Sequence, residues 1–75
     1  MMDLELIAVT YGLTKTELKI LEMVSQGLTS TEIASNLDVS PKTIETHRKN
    51  CIRKLQLERS RNSLIRFVIQ HKYHG

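Results

Sequence analysis

The chain has 75 residues, with 11 lysines and arginines against 8 aspartates and glutamates, 40% hydrophobic and 25% charged residues, and a formal net charge of +3. That length makes one small module with a single core, burying only about 60% of its unfolded surface and marginal unless it pairs. No apolar run approaches the ~20 residues of a bilayer span, the start MMDLELIAV is acidic where a signal peptide is basic, and one cysteine cannot form an internal disulfide; a cytoplasmic protein is expected.

In chain order, Leu4, Ile7, Ala8 and Tyr11 recur at i, i+3, i+4 and i+7, which predicts a short amphipathic helix over 3–11, stopped by Gly12 and buttressing the rest. Leu13-Thr14-x-x-Glu17-Leu18 is a capping box with a hydrophobic staple. It opens a helix carrying Leu18, Ile20, Leu21 and Val24 and ending at Gly27. Leu28-Thr29-x-x-Glu32-Ile33 repeats the device, so a third helix begins at Thr29 and runs along Ile33, Ala34 and Leu37 until Asp38-Val39 breaks the period. Ser40-Pro41 then supplies an N-cap and a proline at the first helical position. Two helices joined by so short a turn must cross steeply.

On the helix that follows, about 100° per residue puts Ile44, Cys51 and Leu55 on one side and Lys42, Thr46, Lys49 and Arg53 on the other, with Glu45 and Asn50 at the edges. One side packs, and Cys51 there is a small hydrophobe. The other carries groups suited to phosphates and base edges, with Lys54 adding a further cation for phosphate. A Lys/Arg stripe alone is usually only a solvated face. Here the signs are segregated: residues 1–40 hold two lysines against six carboxylates, residues 41–54 five cations against Glu45, and residues 55–75 four cations against Glu58. Such polarity orients a protein on a polyanion.

After the loop Gln56–Ser60 a last helix is predicted from about Arg61 to Tyr73. Its Leu64, Ile65, Phe67, Val68 and Ile69 cover more than half the circumference, too much for one-sided packing, so Ile65, Phe67 and Ile69 are expected to pair with a second copy. No alternating strand pattern, repeat or long linker is present. The fold class is all-α, a small four- to five-helix bundle containing a helix-turn-helix.

Residues 13–57 resemble the helix-turn-helix domain of the LuxR (GerE, FixJ) family of bacterial transcription regulators. The resemblance rests on Leu13-Thr14, Glu17, Gly27, Glu32-Ile33-Ala34, Leu37, Ser40, Thr43-Ile44, His47 and Lys54-Leu55. It implies sequence-specific double-stranded DNA binding in transcription regulation, with the helix over about 41–55 in the major groove and the last helix pairing across a two-fold axis. The chain then divides into an N-terminal buttress helix (1–12), the matching core (13–57) and a C-terminal dimerisation helix (58–75). Carried over by position, Glu45, Thr46 and Lys49 face the groove, and Thr29, Ser30, Lys42, Thr43 and His47 approach phosphates. RNA polymerase is a further candidate partner, and no cofactor or metal is called for. Departures from the family are Glu45, where many members carry Lys, Cys51 in place of a larger aliphatic, and a loop after Leu57 that lacks the usual small-residue turn and runs about one residue longer. Members usually carry a sensor or phosphoreceiver domain before this unit; 75 residues leave room for none, which fits a stand-alone regulator or a fragment.

An enzyme is not expected. His47 has no ligand partner except Glu45 on a different helical face, His71 and His74 sit near the C-terminus, and no phosphate loop or Ser/His/Asp set is visible. Two alternatives remain. A sigma-factor-like promoter-reading domain shares the Leu-Thr-x-x-Glu start but ends soon after the basic helix, whereas here an apolar helix follows. A helical protein-interaction module without nucleic acid leaves the segregated charge unexplained.

Overall fold

The computed structural model describes residues 3–60 and 62–72, without the side chains of His71 and Lys72. Within them lie five helices and no strand: α1 (Leu4–Tyr11), α2 (Lys15–Ser25), α3 (Ser30–Leu37), α4 (Pro41–Lys54) and α5 (Ser63–Lys72). The expected limits of the last helix, Arg61 and Tyr73, fall outside the described residues. No helix among these is long and apolar enough to cross a membrane.

Helix starts are set by side chains three residues away. Asp3 accepts from the Leu6 N–H at 3.1 Å. Thr14 and Thr29 each form a complete capping box, with Glu17 and Glu32 reaching back to the threonine N–H at 2.8 and 2.9 Å. Ser40 accepts from Thr43 N–H at 3.2 Å, one residue before Pro41. Each of these caps satisfies an N–H that the helix itself leaves open.

Helix ends share a second device. Gly12, Gly27, Asp38 and Gln56 all have positive φ, and the apolar residue after each donates its N–H five residues back: Leu13 to Ala8, Leu28 to Met23, Val39 to Ala34 and Leu57 to Ile52, at 2.8–3.1 Å. This is the Schellman closure, which turns the chain sharply and folds the following apolar side chain back toward the helix. Leu13, Leu28 and Leu57 accordingly pack against the core. At the fourth turn the left-handed residue is Gln56, an unusual choice and the reason its small-residue signal is missing from the sequence.

The core is built from Ile20, Leu21 and Val24 of α2, Ile33 and Ala34 of α3, Ile44 and Cys51 of α4, then Leu55, Leu64, Phe67 and Val68. Helix α2 is central, packing against α1, α4 and α5, while α4 also packs against α3 and α5. Two expectations change. Tyr11 lies outward, so α1 rests on the bundle through Leu4, Ile7 and Ala8. Phe67 is 7% exposed and belongs to the core of its own chain, which leaves Ile65 and Ile69 as the exposed apolar residues of α5. The wide apolar arc of α5 is explained in part by burial on two sides, against α2 and α4.

Candidate nucleic-acid interface

Helices α3 and α4 are joined by Asp38, Val39 and Ser40. Asp38 (φ 56°) closes α3, and Ser40 with Pro41 opens α4 at once, so the direction of α4 is fixed by hydrogen bonds at both sides of the turn. Ile33 and Ile44, both fully buried, belong to the core that holds the two helices together. The opposite side of α4 is open, with Lys42, Thr43, Glu45, Thr46, Lys49 and Arg53 exposed and His47, Arg48 and Asn50 half-buried.

Several of these side chains are held. Thr46 Oγ1 donates to the Lys42 carbonyl at 3.2 Å, which leaves this exposed hydroxyl able to accept. Thr43 and Ser40 hydroxyls lie 3.0 Å apart. The Ser30 hydroxyl donates to the Glu45 carboxylate, tying the first residue of α3 to the exposed side of α4. Glu45 is therefore the acceptor that joins the two helices at the surface, a role the sequence reading did not include. Thr29 uses its Oγ1 to cap α3, accepting from Glu32 N–H at 3.2 Å, and its N–H and hydroxyl in turn hold the Glu32 carboxyl below its usual range. His47 lines a small hollow with Thr16 and Lys19 of α2, so it sits where α4 meets α2.

Lys54 differs from the other cations. Its Nζ lies 2.7 Å from Glu17 Oε1, a carboxylate whose side chain is only 3% exposed and which also accepts the Thr14 N–H. Burial on its own would raise the Glu17 pKa; the Lys54 ammonium and the Thr14 N–H outweigh it and bring the carboxyl below its ordinary value. Lys54 thus fastens the end of α4 to the start of α2, and its charge is answered inside the protein. Nearby, the Cys51 thiol is 3.9 Å from the Glu17 carbonyl, and burial pushes its pKa up to about 11, which keeps it a thiol.

Two cations that the helical count assigned to neither side, Arg48 and Arg59, line one cleft with Lys49, Arg53 and Glu45. Arg48 was legible in principle, since it stands three residues after Glu45 and four before Ile52 and so shares their flank. Arg59 was not, because its position depends on how the chain turns after α4. Among the described residues no cluster of three histidine, cysteine or carboxylate side chains could hold a metal.

The pattern of the LuxR family of bacterial regulatory proteins matches residues 11–68. The chain belongs to that family. It is 43% identical over 60 residues to the uncharacterized response regulatory protein YgeK of Escherichia coli, covering 75% of this chain and 41% of that protein. It is 38% identical over 60 residues to the oxygen regulatory protein NreC of Staphylococcus carnosus, covering 80% and 27%. With the transcriptional regulatory protein UhpA of Salmonella typhimurium it shares 46% over 43 residues, 57% and 22% of the two chains. The chain thus spans less than half the length of these relatives. No solved structure gives a significant match. Family membership makes the chain a LuxR-type helix-turn-helix module.

Proposed function

We propose that this LuxR-family module binds double-stranded DNA sequence-specifically by laying the exposed side of α4 in the major groove, and that two copies do so together through α5. The observation that carries the first half is the exposed row Lys42, Thr46, Lys49 and Arg53 on a helix whose other side is buried. Fourteen residues give α4 a length of about 21 Å, and a helix fits the ≈ 12 Å width of the major groove. Lys42, Lys49 and Arg53 supply phosphate neutralisation, with Thr29, Ser30, Thr43, His47 and Asn50 as further polar contacts around them. Glu45, Thr46 and Lys49 are the base readers. Lys54 leaves the phosphate set, because transferring it would strand a buried carboxylate.

Glu45 repels phosphate but can accept from a cytosine N4 amine, exchanging one donor, the Ser30 hydroxyl, for another. Selection from random duplexes tests the reading: the wild-type chain is expected to enrich one consensus, and Glu45→Lys to enrich a different or looser one at higher overall affinity. An unchanged consensus would remove Glu45 from the readout, and no enrichment by the wild type would remove sequence-specific reading altogether.

The second half is supported by Ile65 and Ile69, 38% and 49% exposed and one turn apart on α5, and by the small size of the core. A two-fold pair joined there would present two α4 helices about 34 Å apart, one turn of DNA.

A further inference from the structure

The 57–60 segment is held between the end of α4 and the start of α5 by a set of short-range bonds. Gln56 in the left-handed conformation reverses the chain, and Leu57 N–H closes on the Ile52 carbonyl at 3.0 Å. Ser60 is then tied to its neighbours: its N–H donates to the Glu58 carbonyl at 2.9 Å and to Ser63 Oγ at 3.3 Å, its carbonyl accepts from Ser63 N–H at 3.3 Å, its hydroxyl lies 2.9 Å from Ser63 Oγ, and the Arg66 guanidinium donates to that hydroxyl at 2.8 Å. Ser63, itself buried, also donates to the Glu58 carbonyl. Arg59, exposed between two tethered residues, is thereby carried to the rim of the cleft along α4.

That cleft has an apolar floor, Ile52 and Leu57, and a rim of four cations, Arg48, Lys49, Arg53 and Arg59, against the one carboxylate of Glu45. Its charge complements an anionic chain, and its floor suits the apolar face of a sugar. It is continuous with the proposed base-reading side, since Glu45 and Lys49 belong to both. We propose that the cleft seats the sugar–phosphate backbone of one DNA strand, with Arg48 and Arg59 as phosphate-contacting residues that extend the footprint from α4 onto the α4–α5 connection. The proposal rests on the DNA reading above and adds to it a contact outside the helix-turn-helix.

The test is the salt dependence of binding to the selected duplex by fluorescence anisotropy. Each phosphate contact contributes about −0.9 to the slope of log K against log salt. Arg59→Ala and Arg48→Ala are each expected to reduce the slope by about that amount and leave the selected consensus unchanged. Arg59→Lys should keep the slope, and Lys15→Ala, an equal loss of charge away from the cleft, should also keep it. Arg59 is exposed, so its alanine variant should melt with the wild type. A wild-type slope in Arg59→Ala while Lys49→Ala loses its share would overturn the cleft and leave the α4 reading standing. Equal flattening by Lys15→Ala would reduce the effect to net charge and overturn the cleft as well. Wild-type protein that binds DNA at no salt concentration would remove both proposals together.

Discussion

Lys54 and Glu17 show how one residue's neighbourhood redirects its charge. The carboxylate is nearly closed off from water and the ammonium is 26% exposed, so removing Lys54 leaves a buried negative charge with Thr14, through its N–H and hydroxyl, to answer it. Lys54→Met is expected to destabilise the fold by about 1–3 kcal/mol, a range set by the loss of a hydrogen bond between charged groups at a partly open site. Urea unfolding measures this, and the salt slope of DNA binding should not change. The pair also sets an acid limit. Because the folded Glu17 carboxyl titrates below its ordinary 4.5, its contribution to stability is fully present above that pH and is lost as pH falls through the folded value. The wild type should therefore lose stability below about pH 4.5 more steeply than Lys54→Met; parallel acid limbs would show that the ion pair has no energetic weight. The exposed Ser30–Glu45 bond is a smaller matter for stability, and its consequence lies in the base that Glu45 prefers.

At the level of elements, the starts of α2, α3 and α4 were legible because a capping box or Ser-Pro needs only residues three apart. The ends of α1 and α2 were legible too, since glycine is the usual left-handed residue. What the sequence withheld is non-local. The Lys54–Glu17 pair spans 37 residues, so from the sequence Lys54 counts as one more phosphate cation. The burial of Phe67 depends on α5 being packed by α2 and α4 at once, which a single helical wheel does not convey. Gln56 carries no glycine-like signal, yet it occupies a left-handed turn at φ 59°. A side chain there costs roughly 1–2 kcal/mol relative to its preferred conformation. Gln56→Gly should recover about 1 kcal/mol of that, less the added entropy of the unfolded chain. Thermal melting checks the sign; a lower midpoint would mean that the Gln56 side chain supplies more than its backbone costs.

For the molecule as a whole, the acidic charge lies in α1 to α3 and the basic charge in α4 and beyond, so the field points one side of the bundle at a polyanion. The proposed pairing through α5 belongs to this scale. Ile65→Asp or Ile69→Asp should weaken cooperative binding to a duplex with two half-sites far more than binding to one half-site. Phe67→Asp should instead unfold the chain, since it drives a charge into the core. Equal losses on both duplexes for the isoleucine variants would put the interface elsewhere. The central claim, that the exposed side of α4 lies in the DNA, is tested most directly by following backbone amide NMR signals as the selected duplex is added. The largest shifts are expected from Thr29 to Thr31 and from Lys42 to Arg53, with little change in α1. Shifts concentrated in α1 or α5, with α4 unmoved in the presence of saturating DNA, would contradict it.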